Sequence, residues 1–122
     1  MIVRRVSDYK PFTSIDGCEI VEVIGLKTTN TMEVSLAYAA LKPKMKTIPH
    51  YHEFLEIYMI EKGQGIIHLD GEERKIRGGD NILIPAGTIH HLENIGRGKL
   101  TLWCICVPAF TLEGTTLKKN FC

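Results

Sequence analysis

The chain has 122 residues, a formal net charge of +1 at neutral pH, 44% apolar residues and four cysteines. That is enough chain to bury a core without disulfide staples, and it reads as one domain over residues 1–122. Lys and Arg are scattered in nothing longer than pairs such as Arg4-Arg5 and Lys118-Lys119, which argues against nucleic-acid and acidic-membrane partners, and no apolar run approaches the ~18 residues of a membrane span.

The N-terminal Met-Ile-Val-Arg-Arg-Val lacks the basic-then-apolar layout of a signal peptide, so the expected location is cytoplasmic. Ile2, Val3 and Val6 suggest a short strand on a sheet edge or against a partner subunit, and Pro11 and Gly17 punctuate the next stretch. Cys18 to Leu26 is β-branched without a helical stripe and reads as a strand, with Lys27 to Asn30 as a polar turn. Met32 to Leu41 is a second long strand, ended by Lys42-Pro43. His50 to His52 is expected to be extended, with a turn at Glu53-Phe54 and a new strand from Glu56 to Glu61. Asp70-Gly71 between Gly65–Leu69 and Glu72–Ile76 is a hairpin signal, because a type I′ turn needs positive φ. Gly78-Gly79 turns the chain into Asn81–Ile84, and Pro85-Ala-Gly87 turns it into a strand from His90 to Ile95. Gly96 and Gly98 lead to Lys99–Val107, ended by Pro108. The tail from Thr111 to Cys122 is polar apart from Leu112, Leu117 and Phe121, and suits either one helical turn or a subunit contact. Strand candidates this regular, with no convincing helix, indicate an all-β sandwich or barrel.

Two histidines one residue apart on a strand put both imidazoles on one face. Glu56 has the same parity as His50 and His52, but at ~3.3 Å per residue a straight strand leaves it ~13 Å beyond His52. Metal–ligand bonds are only ~2.0–2.2 Å, so His52 and Glu56 share an ion only if the chain turns back between them. His90, Leu92 and Asn94 share one face of a later strand, while His91 faces away and is not expected to bind what His90 binds. Any one of these histidines alone is more often an ordinary core or surface residue. Three imidazoles and a carboxylate together suit a divalent first-row ion.

The spacing resembles the two motifs of the cupin superfamily. The first is glycine, five residues, His-x-His, three or four residues, Glu, six residues, glycine; His50, His52, Glu56 and Gly63 fall in this register, with Lys44 where the leading glycine belongs. The second is glycine, five residues, Pro-x-Gly, two residues, His, three residues, Asn, and Gly79, Pro85, Gly87, His90 and Asn94 meet all of it. Residues 44–94 carry the resemblance. It implies an all-β, single jelly-roll barrel. It also implies that His50, His52, Glu56 and His90 hold a divalent transition metal ion (Fe, Mn, Ni or Zn) near an open mouth. Phe54, Tyr58, Ile60 and Leu92 share parity with those ligands and are the pocket candidates; Tyr58 is the one catalytic candidate, and equally suits a packed wall. Trp103 suits either the pocket or the outside.

Related cupins include dioxygenases, isomerases, lyases and decarboxylases, so the fold does not choose a reaction. The first expectation is a metal-dependent enzyme on a small organic molecule, with oxygen chemistry at iron or a similar ion. The alternatives are a non-catalytic sensor or binding module with a bound metal, metal storage, and a sugar-phosphate isomerase-like cupin. No helix-turn-helix favours a sensor that binds DNA, and no cluster of Arg and Lys flanks the motifs, although Lys42, Lys44 and Lys46 precede His50. A homodimer is expected, because the N-terminal Ile2-Val3-Val6 and the apolar Lys99–Val107 strand otherwise leave sheet edges open. Cys104 and Cys106 alternate along one strand face and no Cys-x-x-Cys occurs, so the four cysteines read as reduced core residues, with a thiol ligand from Cys104 or Cys106 the lesser alternative.

Overall fold

The alternation of apolar and polar residues between Gly and Pro punctuation sets most of the chain into strands. The computed structural model describes residues 1–118. Its strands are β1 (Phe12–Thr13), β2 (Glu19–Ile24), β3 (Ser35–Leu41), β4 (His50–His52), β5 (Leu55–Lys62), β6 (Gln64–Leu69), β7 (Glu72–Arg77), β8 (Asn81–Ile84), β9 (His90–Asn94), β10 (Leu100–Val107) and β11 (Thr115–Leu117). They pair antiparallel in a six-stranded sheet of order β1-β2-β3-β10-β5-β8 and a five-stranded sheet of order β11-β4-β9-β6-β7. This is the expected all-β jelly roll. Between the sheets lies an apolar core that includes Leu41, Ile60, Ile67, Ile84, Leu92 and Leu102.

β10 shows how alternation builds that core. Leu100, Leu102, Cys104 and Cys106 are buried, while Trp103 faces out and packs its ring 4.9 Å from Tyr38. The hairpin has the expected register, from Gly65 opposite Ile76 to Leu69 opposite Glu72. Its turn holds Asp70 at φ 48 and Gly71 at φ 82, the two positive values a type I′ turn requires. Lys44, at the place where the resemblance calls for glycine, has φ 69. The backbone demand of the motif therefore persists under a side chain that costs about 1–2 kcal/mol there. Asn94, the last motif residue, is a staple: its Nδ2 donates to Leu41 O and Gly98 O, each at 2.9 Å, and its Oδ1 accepts from Gly96 N–H at 2.9 Å.

Several local expectations are corrected. Residues 1–8 form no strand; Val6–Asp8 is a 3₁₀ turn, and Ile2 and Val3 are exposed. The Asp8 carboxylate accepts from Arg5 N–H at 2.8 Å, and Asp8 N–H donates to Arg5 O at 3.0 Å, so local closure diverts the backbone from a ladder. The polar turn after β2 winds into a one-turn helix α1 (Leu26–Thr29), capped by Asn30 at φ 53, and the next strand starts at Ser35 rather than Met32. The tail holds strand β11 paired with β4, and not a helical turn; its last part, with Phe121 and Cys122, lies outside the described residues. Among the described residues no helix is long and apolar enough to cross a membrane.

Candidate metal centre

β4 carries His50 and His52 on its inner face, and β9 pairs with it so that His50 lies opposite His90. The chain then turns through Glu53 and Phe54, fastened where Glu53 N–H donates to Gly114 O at 2.8 Å. β5 starts at once in the facing sheet, with Glu56 on its buried side. Three imidazoles from one sheet thus meet a carboxylate from the other, as the turn-back requirement demands. All four residues are at most 5% exposed, and one ligand atom from each lies within 4.8 Å of the rest.

The second nitrogen of each ring decides what these groups can do. His50 Nδ1 lies 2.7 Å from Ile48 O, and His90 Nδ1 lies 2.9 Å from Thr88 O. A carbonyl only accepts, so both rings carry their proton on Nδ1. His52 Nδ1 lies 2.9 Å from Thr115 Oγ1, whose own hydroxyl donates to Thr111 O at 3.0 Å, so this ring also donates from Nδ1. All three Nε2 atoms are then left with lone pairs.

Those lone pairs face a carboxylate. His52 Nε2 and His90 Nε2 lie 3.2 and 3.3 Å from Glu56 Oε1. Glu56 Oε1 and His90 Nε2 are buried with no hydrogen-bond partner among the described residues, a costly arrangement for polar atoms. Burial holds the His50 imidazole down to about 4, helped by the charge of His90, so His50 is neutral at physiological pH. For Glu56, burial pushes upward, and only hydrogen bonding and positive charge from the His52 and His90 rings outweigh it and bring the carboxyl down to about 2. The centre therefore demands positive charge between its acceptors. A divalent ion satisfies all four at once, with backbone and hydroxyl partners orienting each ring from behind, as in metal sites generally. The residues fit such an ion.

The surrounding side chains divide. Phe54 stacks on His52 with centroids 4.5 Å apart and planes at 16°, and Tyr58 presents its ring to His90 at 5.9 Å. Burial drives the Tyr58 hydroxyl well above its ordinary value, so it stays protonated. Ile60 and Leu92 lie in the apolar core. His91 turns outward and stacks on His68. Cys18, Cys104 and Cys106 are free thiols, and burial pushes all three upward, Cys18 to about 12. Cys106 stays S–H and donates to Glu56 Oε2 at 3.5 Å, which orients the carboxylate rather than competing with it.

Three contributors, Phe110, Thr115 and Asp16, escape a reading of the sequence, and Cys106, expected there as a core thiol or lesser ligand alternative, takes a supporting place. Phe110 packs edge-on against His52 and Phe54, at 5.8 Å from each, and Thr115 fixes the His52 tautomer. Cys106 supports Glu56, and Asp16 places Oδ2 3.6 Å from His50 Nε2. Phe110 and Thr115 sit in a stretch with no periodic pattern, and Asp16 in a turn whose composition signals only a turn. Two surface clefts of ≈ 330 and ≈ 360 Å³ open along β6 to β8, and neither includes a residue of the cluster.

Residues 37–107 match the family model described as the cupin domain. An uncharacterised protein of Methanocaldococcus jannaschii is 36% identical over 118 residues, covering 96% of this chain and 94% of that protein. Among solved structures, a predicted oxalate decarboxylase from Thermotoga maritima superposes with a TM-score of 0.77 at 24% identity, covering 88% of this chain and 99% of that one. The polyketide cyclase RemF from Streptomyces resistomycificus gives a TM-score of 0.76 at 18% identity, covering 93% of this chain and 89% of its own. At such identities the structural likeness speaks for the fold alone.

Proposed function

The chain belongs to the cupin family, and from that premise we propose that it is a metal-dependent enzyme acting on a small organic molecule, with dioxygenase-like chemistry as the leading reaction class. The observation that carries this reading is a buried cluster in which the proton-free Nε2 atoms of His52 and His90 meet the Glu56 carboxylate, with a ligand atom of His50 within 4.8 Å. His50, His52, Glu56 and His90 would hold an ion of the Fe, Mn, Ni or Zn class, which when bound supplies Lewis acidity or redox capacity. Around it, Ile48 O, Thr88 O and Thr115 Oγ1 keep the rings in the ligating tautomer. Phe54 and Phe110 exclude water on the His52 side, and Tyr58, its hydroxyl kept protonated by burial, walls the His90 side as a hydrogen-bond donor rather than an acid. That a neighbour by fold is a predicted oxalate decarboxylase makes small carboxylic acids the first substrates to try.

Elemental analysis of protein purified without an affinity tag, followed by oxygen-consumption and product screens with small acids, thiols and phenols, tests the reading. Near-stoichiometric transition metal with turnover of one class supports it. Metal without turnover leaves the non-catalytic binding module, and protein that neither retains nor binds metal overturns it. The sugar-phosphate alternative loses ground because Lys46, whose backbone pairs with that of Glu93 on β9, lays its charge on the outward-facing His91. The half-exposed outer face of the six-stranded sheet, with Met59 and Leu83 across β5 and β8, supports a homodimer; a light-scattering mass of one chain at micromolar concentration would exclude it. A cytoplasmic location goes with this reading.

A further inference from the structure

Asp16 lies in the turn before β2, 34 residues before His50 in the chain. Its two carboxylate oxygens do different work. Oδ1 closes the turn, accepting from Cys18 N–H at 3.1 Å and from the Ser14 hydroxyl. Oδ2 points elsewhere and approaches His50 Nε2 at 3.6 Å. His50 keeps its proton on Nδ1 for Ile48 O, so this is a second place where a carboxylate oxygen faces a lone pair with no proton between them. The turn is also tied to the ligand strand through its backbone: Ile48 N–H donates to Asp16 O at 2.7 Å, and Ile48 O holds His50.

We infer that Asp16 is a second carboxylate of the metal centre, standing on its His50 side and raising its affinity for hard divalent cations such as Mn²⁺. This rests on the reading of the four-residue cluster as a metal site. Asp16 lies outside the four residues whose ligand atoms are all within 4.8 Å of one another, so at 3.6 Å from His50 Nε2 its Oδ2 is placed to accept from a water bound to the ion rather than to ligate it directly. Charge points the same way. A divalent ion with Glu56 and three neutral imidazoles leaves one positive charge in a buried space, and Asp16 cancels it. A carboxylate that accepts from a bound water also favours ions that keep water among their ligands, such as Mn²⁺.

Asp16→Asn separates this role from turn formation, because Asn keeps an Oδ1 acceptor for Cys18 and Ser14 while losing the charge. Metal-stripped wild type, Asp16→Asn and Asp8→Asn are titrated with Mn²⁺ by calorimetry and by the electron paramagnetic resonance of free Mn²⁺. Asp8, exposed in the N-terminal turn, controls for the loss of one charge. The expected result is a Kd raised ~10–100-fold in Asp16→Asn and changed less than ~2-fold in Asp8→Asn, where solvent screens the charge, with thermal midpoints of the stripped proteins unchanged. Tight binding by wild type with an equal Kd in Asp16→Asn overturns the inference and leaves the cluster standing. Wild type that binds no Mn²⁺, Fe²⁺ or Zn²⁺ overturns both. Should Asp16→Asn fail to fold, Asp16→Ser, whose hydroxyl can also close the turn, decides by the same two results.

Discussion

His90 and His91 are adjacent in the chain, yet they belong to two regions that treat the same chemistry in opposite ways. Inside, His50, His52 and His90 are buried, their Nδ1 protons committed to Ile48 O, Thr115 Oγ1 and Thr88 O, with the lone pairs of His52 and His90 facing Glu56 and that of His50 facing Asp16. Outside, on the far face of β9, His91 stacks on His68 with centroids 4.0 Å apart and planes at 6°. His68 reaches Glu93 at 3.4 Å and Glu73 at 3.6 Å. Both regions set imidazoles beside carboxylates. Only the inner one forbids water and fixes the tautomers. The outer rings and their carboxylates are open to solvent, so water can satisfy them without an ion. Residue type alone therefore does not make a metal site; the groups behind the rings and the exclusion of water do.

The sharpest break of this comparison exchanges the two neighbours. His90→Ala should abolish metal binding at micromolar metal, whereas His91→Ala should keep near-stoichiometric metal by elemental analysis. The opposite pattern would place the ion on the outer face. Next, metal should raise stability by RT ln(1 + [L]/Kd), about 4 kcal/mol when free metal is ~1,000 times Kd, measured as a shift of a melt that stays cooperative in the stripped protein. That gap should shrink as pH falls toward about 4, where the folded stripped protein begins to protonate His50 and metal must displace that proton. A His68→Ala/His91→Ala variant should show the same gap.

A smaller effect concerns acid. In the stripped protein His50 is held down to about 4 by burial and by the charge of His90, while an unfolded histidine takes its proton near ~6.5. The unfolded state then binds more protons in that window, and stability falls with pH by up to about 3 kcal/mol. Glu56, held to about 2, extends the loss below ~4.5. Burial and the charge of His68 lower His91 too, which adds loss of the same sign but less of it, since that ring is half-exposed. Denaturation midpoints of stripped wild type and His91→Ala between pH 7 and pH 4 check this; equal midpoints across the range would refute it. The smallest effect is His68→Ala, which removes a stacked contact and two screened ion pairs for about 1 kcal/mol or less.

Much of this architecture is legible in the sequence itself. Strand parity puts His90 and His91 on opposite faces, the Pro85-x-Gly87-x-x-His90 spacing picks His90 as the inward one, and a shared ion requires a turn between His52 and Glu56. Asp70-Gly71 carries its own register, because positive φ at two successive residues leaves a two-residue loop little choice. The resemblance adds His50, His52, Glu56 and His90 as one set. These signals are local: period, spacing and backbone chemistry within a few residues. What the tertiary structure alone decided is how distant segments meet. Asp16, Phe110 and Thr115 reach the cluster from segments where neither a period nor a motif marks them, and Cys106, whose inward parity is legible, meets Glu56 only because β10 pairs with β5. Trp103 faces outward because of the register of β10 against β3 and β5, which no count across the preceding turn could supply. The N-terminal segment chose a local 3₁₀ closure over a sheet edge, a contest between short-range hydrogen bonds and a ladder that its few residues do not reveal. Local order is written in neighbours along the chain; the partners of a buried charge are set by the closing of two sheets over it.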